Sequence, residues 1–416
     1  MTHLPDPGPY RHAAVRVAVA VLALVAALLP RSQPVSATVS APTSVRAVAA
    51  GSVVSLPGPT GRHQVGTVSL HLVDGTRHDP WVPSHPLREL MVQLWYPAAR
   101  SAGFPRARYI PALAGRLLDA QTAQALATSV PTGTFHGLRT HSYQDAPVAR
   151  SAKAGRPVIL LSPGDGMDRS SLTSVAEDLA SHGFLVAGID HTHDSGQVEF
   201  PGGRVEVAQN IPPGSADEET LVRTADVRFV LDQLTRLNTG ANPDADHQRL
   251  PAFRNTLDLA RTGMFGHSHG AEATAETMLQ DRRITAGAEL DGGVSDRVAA
   301  AGLHSPFMVI SGNSAAGHPL TEENLTTLWP RLTGWGRWLR LRDSGHLSFT
   351  DFEIFAPELN TPPNTRQQLF GTLDPQRAVA IERTYLLAFF TWQLDHHHQR
   401  LLDRPSNRYP EMIFER

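Results

Sequence analysis

Short apolar runs alternate with longer stretches of helical spacing from Gly66 to the end of the chain. Thr67–Val73 and Glu89–Trp95 alternate apolar and polar positions and predict an early antiparallel pair of strands. Pro157–Ser162 and Phe184–Asp190 are continuous apolar runs of the kind buried on both faces of a parallel sheet. Thr262–Gly266, Thr285–Leu290, Phe307–Ser311 and Arg337–Leu341 continue the series, with Arg337–Leu341 read as the last strand. Between them, Ser171–His182, Glu218–Leu237, His269–Gln280 and Gln376–Leu394 carry apolar residues at helical spacing. Strands alternating with helices predict an α/β fold with a mostly parallel central sheet and helices on both faces. Ligands of such sheets bind beyond the carboxyl ends of the strands, so the chemistry is expected in the segments just after them.

The first 60 residues read differently. Arg11 and Arg16 precede an apolar run of 13 residues, Val17–Leu29, which Pro30 and Arg31 end. The small residues Val35-Ser36-Ala37 follow. This is the layout of a secretory signal peptide over residues 1–37. The run is shorter than the ~20 residues of a membrane-spanning helix, and the alternative is an uncleaved membrane anchor. Residues 38–60 read as a linker and 61–416 as one domain of this α/β class. A cap or rim is expected in 99–150, with Tyr109–Leu118 as a candidate helix.

One segment carries chemistry. Gly266-His267-Ser268-His269-Gly270 has the form G-x-S-x-G, follows an apolar strand and opens a helix. That is the context of a nucleophile elbow, the strained turn of the α/β-hydrolase fold. Its glycines leave room where the strand turns into the helix. Ser268 is the candidate nucleophile, and a serine hydroxyl needs a neighbouring base. In this fold the acid and then the base follow the serine. His346 lies in the loop after the Arg337–Leu341 strand and is the candidate base. His304 and His318 compete, but both precede that strand. Asp291 ends the Thr285–Leu290 strand and is the candidate acid. Asp343 is the alternative. The loop Ser162-Pro163-Gly164-Asp165-Gly166 follows the Pro157–Ser162 strand, where the fold places one half of its oxyanion hole. The N–H groups of Asp165 and His269 are assigned to it. His191 and His267 are candidate substrate contacts.

Composition narrows the chemistry further. The chain has 416 residues, no cysteine, and a net charge of −3 from 37 basic and 40 acidic residues. Without cysteine there are no disulfides, thiolate metal sites or cysteine nucleophile. Without a basic block, nucleic acid is excluded as a partner. The 20 histidines raise the question of a metal. Asp190-His191-Thr192-His193-Asp194 places two histidines after a strand, but the sequence shows no third ligand converging on them. No metal and no cofactor are therefore expected. Asp395-His396-His397-His398 reads as a solvated helix end.

These motifs together resemble the platelet-activating-factor acetylhydrolases of the plasma type and their bacterial relatives. The resemblance rests on Pro57-Gly58-Pro59-Thr60-Gly61, Arg88-Glu89-Leu90-Met91-Val92 and Trp95-Tyr96-Pro97-Ala98. It continues through Ser162, Leu179-Ala180-Ser181-His182-Gly183-Phe184 and Asp190-His191, and ends on the elbow, Leu290-Asp291-Gly292 and Gly345-His346. It implies the triad Ser268, Asp291 and His346, and calcium-independent hydrolysis of short or oxidised acyl esters, in some members at the sn-2 position of a phospholipid. Three positions depart from the family: His269 where an aromatic residue is common, Ala271 where glycine is common, and Asp165 where an apolar residue is usual. The expected partner is a small-molecule or lipid ester, with transient contact to a lipid surface; no protein partner can be inferred. Two other readings stand beside this one. One is a lipase or polyester hydrolase on the same triad, which a shallow cleft with exposed aromatics such as Trp335 and Trp338 would favour. The other is a catalytically inactive hydrolase fold that binds without turnover.

Overall fold

A computed structural model describes residues 54–151, 155–211, 216–313 and 319–416. The expected signal peptide and most of the expected linker lie outside the described residues, as does His318. In chain order the strands are β1 (Val65–Asp74), β2 (Arg88–Pro97), β3 (Arg106–Arg108), β4 (Arg139–Gln144), β5 (Arg156–Ser162), β6 (Leu185–Asp190), β7 (Gln197–Glu199), β8 (Val205–Val207), β9 (Leu257–His267), β10 (Ile284–Leu290), β11 (Phe307–Gly312), β12 (Gly336–Leu341) and β13 (Met412–Phe414). The helices are α1 (Ala112–Ala125), α2 (Thr134–Gly137), α3 (Thr173–Ser181), α4 (Ala216–Thr239), α5 (His269–Gln280), α6 (Asp296–Ala301), α7 (Pro319–Leu328), α8 (Phe352–Glu358), α9 (Pro363–Phe370) and α10 (Pro375–Gln393).

Eleven strands form one sheet in the order β13-β12-β11-β10-β9-β5-β6-β2-β1-β4-β3. The run from β12 to β6 is parallel throughout. β1 and β2 pair antiparallel as their alternation predicted, with Val68 opposite Leu94. This is the α/β-hydrolase architecture. All seven residues of β5 are buried, because helices cover both faces. Val158 and Leu160 enter one core, with Val227 and Val230 of α4. Ile159 and Leu161 enter the other, with Val175 of α3 and Phe390 of α10. The period of two in the strand thus distributes one apolar run between two layers. A fully buried leucine such as Leu160 contributes about 2–3 kcal/mol through apolar burial.

Three expectations change. Arg337–Leu341 corresponds to β12, but it is not the last strand: β13 pairs with it antiparallel through Leu341 and Met412. A three-residue strand has too few alternating positions to be legible in sequence. Residues 54–60 do not behave as a free linker. Val54 and Leu56 are buried, and the Thr60 N–H and hydroxyl both donate to Asp178 at 2.7 and 2.9 Å. The candidate helix at Tyr109–Leu118 starts three residues later, at Ala112, because Pro111 occupies its N-cap position. Tyr109 and Ile110 instead pack with Phe135, Met167 and Leu347. The segment 99–150 therefore meets the loop after β5 through Met167 and the loop after β12 through Leu347. Among the described residues, no helix is long and apolar enough to cross a membrane.

Candidate active site

Four strand ends converge. β9 runs into Ser268, β10 into Asp291, β5 into the loop 163–166, and β12 into the turn that carries His346. Ser268 sits at φ 53° and ψ −123°, immediately before α5. Such a backbone is strained for a side-chain-bearing residue. It persists because neighbours leave no alternative. A Cβ at position 266 would lie 2.1 Å from Gly270 O, and one at 270 would lie 2.0 Å from Ser162 O. The turn is also tied to its neighbours: the Ser268 N–H donates to Leu290 O at 3.0 Å, and the Asp291 N–H to Ile310 O at 2.9 Å.

These ties bring Ser268, His346 and Asp291 into one chain of hydrogen bonds. His346 Nε2 lies 3.0 Å from Ser268 Oγ. His346 Nδ1 lies 2.7 Å from Asp291 Oδ2. The other oxygen, Asp291 Oδ1, accepts the Gly312 N–H at 2.6 Å. Burial alone would raise the Asp291 carboxyl. The hydrogen bond from His346, its charge and the Gly312 N–H outweigh burial and hold the carboxyl below its ordinary value. An ionised Asp291 accepts the Nδ1–H, which leaves the Nε2 lone pair facing the serine hydroxyl. Asp343 is elsewhere: its carboxylate is half exposed and lies 3.3 Å from Arg342 Nε. His304 bonds Thr333 Oγ1 at 2.7 Å on the surface.

The N–H groups of Asp165 and His269 have no protein acceptor among the described residues. That of His269 opens α5, where the helix dipole adds positive potential. Gly164 lies against the serine: a Cβ there would sit 3.3 Å from Ser268 Cβ. The departure at Ala271 is also accommodated. Position 292 is glycine, and a Cβ there would meet the Ala271 methyl at 2.4 Å.

Two expected substrate contacts are corrected. His191 does not line the mouth of the cleft. It is fully buried, with Nδ1 3.0 Å from Asp226 Oδ2 and Nε2 3.0 Å from Ser162 Oγ. Both nitrogens are occupied, so the ring braces the end of β5 from behind. His267 is also buried and donates from Nε2 to His346 O at 2.9 Å. It holds the backbone of the expected base rather than facing substrate. The His269 ring turns toward α4, with Nε2 2.8 Å from Thr220 Oγ1.

The sequence reading missed Arg223. Its guanidinium is fully buried and pairs with Asp194 through Nε at 2.6 Å, while Nη1 donates to Pro163 O at 2.5 Å. It therefore clamps the loop that carries the Asp165 N–H. Its signal was an arginine on the buried stripe of α4, in register with Thr220, Val227 and Leu231. Arg88, in a segment that carries the family resemblance, plays a parallel part. It is buried with Nη2 2.7 Å from Asp226 and Nη1 2.8 Å from Asp79.

Buried titrating groups around the site predict a pH optimum of stability. Glu289 is pushed up to about 8, chiefly by burial and then by the charge of Asp291. Glu219 is raised to about 8 by burial and then Asp194, and Glu272 to about 7 by burial and then Asp217. His267 and His269 are lowered to about 3, chiefly by burial. The folded carboxyls keep protons that the unfolded chain releases near 4.5, so their contribution is lost as pH rises from there through about 8. The folded imidazoles refuse protons that the unfolded chain accepts near 6.5. Their contribution is lost as pH falls from there toward 3. With three such carboxyls against two imidazoles, Tm should therefore peak at about pH 5 and decline on both sides. Thermal melts from pH 4 to 9 test this, and a Tm still rising at pH 8 contradicts it.

Comparison with known proteins bears on the fold and the reaction. The family model for platelet-activating factor acetylhydrolase, isoform II, matches residues 48–404. The chain belongs to this family. It is 27% identical over 395 residues to a probable 1-alkyl-2-acetylglycerophosphocholine esterase of Arthroderma benhamiae, covering 86% of this chain and 93% of that one. It is 21% identical over 375 residues to the platelet-activating factor acetylhydrolase of Gallus gallus, covering 80% and 82%. A solved ferulic acid esterase from Streptomyces cinnamoneus superposes with a TM-score of 0.75 at 36% identity, covering 88% of this chain and all of that one. The protein is a carboxylic ester hydrolase of the α/β-hydrolase fold.

Proposed function

We propose that the protein is a secreted serine esterase that cleaves short-chain carboxylic esters through an acyl-enzyme on Ser268. What supports this reading is the unbroken chain of hydrogen bonds from Ser268 through His346 to Asp291. The substrate carbonyl oxygen rests against the N–H groups of Asp165 and His269. His346 Nε2 takes the hydroxyl proton as Ser268 Oγ attacks the carbonyl carbon. Asp291 stabilises the imidazolium that forms. The tetrahedral intermediate collapses and His346 protonates the departing alcohol. Water, deprotonated by the same ring, then attacks the acyl-enzyme and frees the acid and Ser268. The signal-like layout of residues 1–37 supports secretion.

The substrate divides into two readings. The acetylhydrolase relatives favour an acetyl-sized acyl group, including one at the sn-2 position of a phospholipid. The 36% identity to a ferulic acid esterase favours an aromatic acyl group instead. The lipase or polyester reading has less support. Trp338 is buried with its N–H on Ser311 Oγ at 3.0 Å, and Trp335 packs on Phe389 and Trp392. A groove of about 390 Å³ lined by His182, Phe184, Thr384 and Leu401 lies at the amino-terminal end of β6, away from Ser268. The reading therefore rests on the hydrogen-bonded chain and not on cavity size.

The test is a set of initial rates on p-nitrophenyl esters from acetate to palmitate, a short sn-2 phospholipid and methyl ferulate. The expected result is a preference for acetate, with kcat/KM falling ~10-fold or more by octanoate, as the acetyl-sized acyl group of the acetylhydrolase relatives favours. A maximum on palmitate points to the lipase reading, and one on methyl ferulate to the aromatic acyl group. No turnover of any ester leaves the inactive fold.

A further inference from the structure

Two carboxylates face one imidazole in the loop after β6. His193 Nδ1 lies 3.0 Å from Asp79 Oδ2, and its Nε2 lies 3.2 Å from Glu206 Oε2. A neutral imidazole carries one N–H. It can donate to one carboxylate, and it then turns a lone pair toward the other. Asp79 and Glu206 thus face the two nitrogens of one ring. A second ring stands beside them. His85 Nε2 lies 3.7 Å from Glu206 Oε1, and its ring meets that of His193 edge-on with centroids 5.2 Å apart. Two imidazoles and a carboxylate form a metal-binding donor set. One ligand atom from each of His85, His193 and Glu206 lies within 4.8 Å of the others.

We infer that His85, His193 and Glu206 form a binding site for a divalent transition metal, with zinc the best match. Two imidazole nitrogens and one carboxylate oxygen suit a borderline ion, and water completes four-coordination. The surroundings are those of a metal-binding histidine. Asp79 takes the Nδ1–H of His193 and so fixes the tautomer that offers Nε2. Asp79 is itself held by the N–H groups of Trp81 and Val82 at 2.9 and 3.0 Å and by Arg88. Arg204 Nη1 bonds Glu206 Oε1 at 2.8 Å, which leaves Oε2 for the ion. The His193 backbone stands at φ +70°, a conformation that side-chain-bearing residues rarely hold without cause. The Gln209 N–H pins it through His193 O at 2.7 Å.

The ion would join three segments far apart in sequence: the β1–β2 connection at His85, the loop after β6 at His193, and β8 at Glu206. The same loop supplies His191 to Ser162 and Asp194 to Arg223. Metal there stiffens the support beneath residues 163–166 and takes no part in the ester chemistry. The expectation of no metal rested on His191 and His193 lacking a third ligand. The fold turns His191 away and brings His85 and Glu206 in its place.

The experiment uses the full mature chain without an affinity tag, stripped with EDTA and titrated with zinc against a chromogenic chelator, with thermal melts alongside. The expected result is one tight equivalent per chain and a Tm raised by about 3 °C or more at 100 µM zinc. Turnover of p-nitrophenyl acetate at 25 °C should differ less than about 2-fold between stripped and loaded protein. His85→Ala and Glu206→Gln, both at partly exposed positions, should each weaken zinc at least ~30-fold while the stripped variants keep the parent Tm. The run His396–His398 can also bind zinc, so a variant with all three changed to Asn is titrated in parallel and should keep the tight equivalent. The proposal is overturned if the parent takes up no zinc, if zinc leaves Tm unchanged, or if binding survives His85→Ala and Glu206→Gln but vanishes in the triple Asn variant. Binding and melting are read without substrate, so a failure of the esterase reading leaves this test intact.

Discussion

Ser268→Ala should reduce kcat on p-nitrophenyl acetate by about 10⁶-fold while leaving the fold intact. The loss is this large because the reading sends every bond-making step through Ser268 Oγ. His346 and Asp291 act through that oxygen, so they contribute little once it is gone. The fold should survive because alanine keeps the Cβ and the backbone ties. The Ser268 N–H still donates to Leu290 O, and Gly266 and Gly270 still leave the room that the turn at φ 53° requires. Tm should change by less than about 2 °C, since no buried apolar contact or charge pair is removed. Labelling by a fluorophosphonate should disappear in the same variant. Retention of more than about one part in a hundred of the parent rate would place the nucleophile elsewhere.

Asp291→Asn should lower kcat by about 10⁴-fold with little change in KM. The reason lies in the two oxygens of the carboxylate. Oδ1 accepts the Gly312 N–H at 2.6 Å, and Oδ2 receives the His346 Nδ1–H at 2.7 Å. Asparagine has one acceptor oxygen. The Gly312 N–H can only donate, so it takes that oxygen, and the amide NH₂ is left facing His346. The ring must then accept at Nδ1 and carry its proton on Nε2, against the serine. That tautomer cannot take the hydroxyl proton. The variant should fold, because asparagine keeps the bond to Gly312 and the shape of the side chain. Asp291→Ala should fall by a similar factor but lose stability as well, since the buried Gly312 N–H is left without an acceptor. Near-normal activity in Asp291→Asn would return the acid to Asp343, despite the pairing of that carboxylate with Arg342.

Both predictions rest on residues that could be named from the chain alone, and the reason is local. An elbow needs glycines at fixed offsets from its serine, so Gly266, Ser268 and Gly270 lie within one short stretch. A strand that ends on a carboxylate followed by glycine, as at Leu290-Asp291-Gly292, is also visible without neighbours. The parallel strands are continuous apolar runs, and their order leaves few places for the base. His346 follows from the position of β12 more than from its own surroundings. The family resemblance rests on the same local segments.

What surrounds that chain of residues is not local. His191 and His193 stand two apart, and an extended reading puts them on one side. The fold separates them: the turn at φ +70° sends His193 to Asp79, 114 positions away, while His191 bonds Asp226, 35 positions away. Arg223 looks like a misplaced charge on the buried stripe of a helix until Asp194 and Pro163 O are brought to it. Arg88 and Asp226 meet across 138 positions. Buried charges are stable only when paired and hydrogen-bonded, and no periodicity states where a partner will come from. The chain by itself determined the central parallel strands, the main helices between them, the elbow, and the acid and base expected to serve it, because strand and turn chemistry act over a few residues. Tertiary structure alone decided which histidines support the site from behind and which gather around Glu206, because those roles depend on desolvation and on partners that only the closed sheet and its helices bring together.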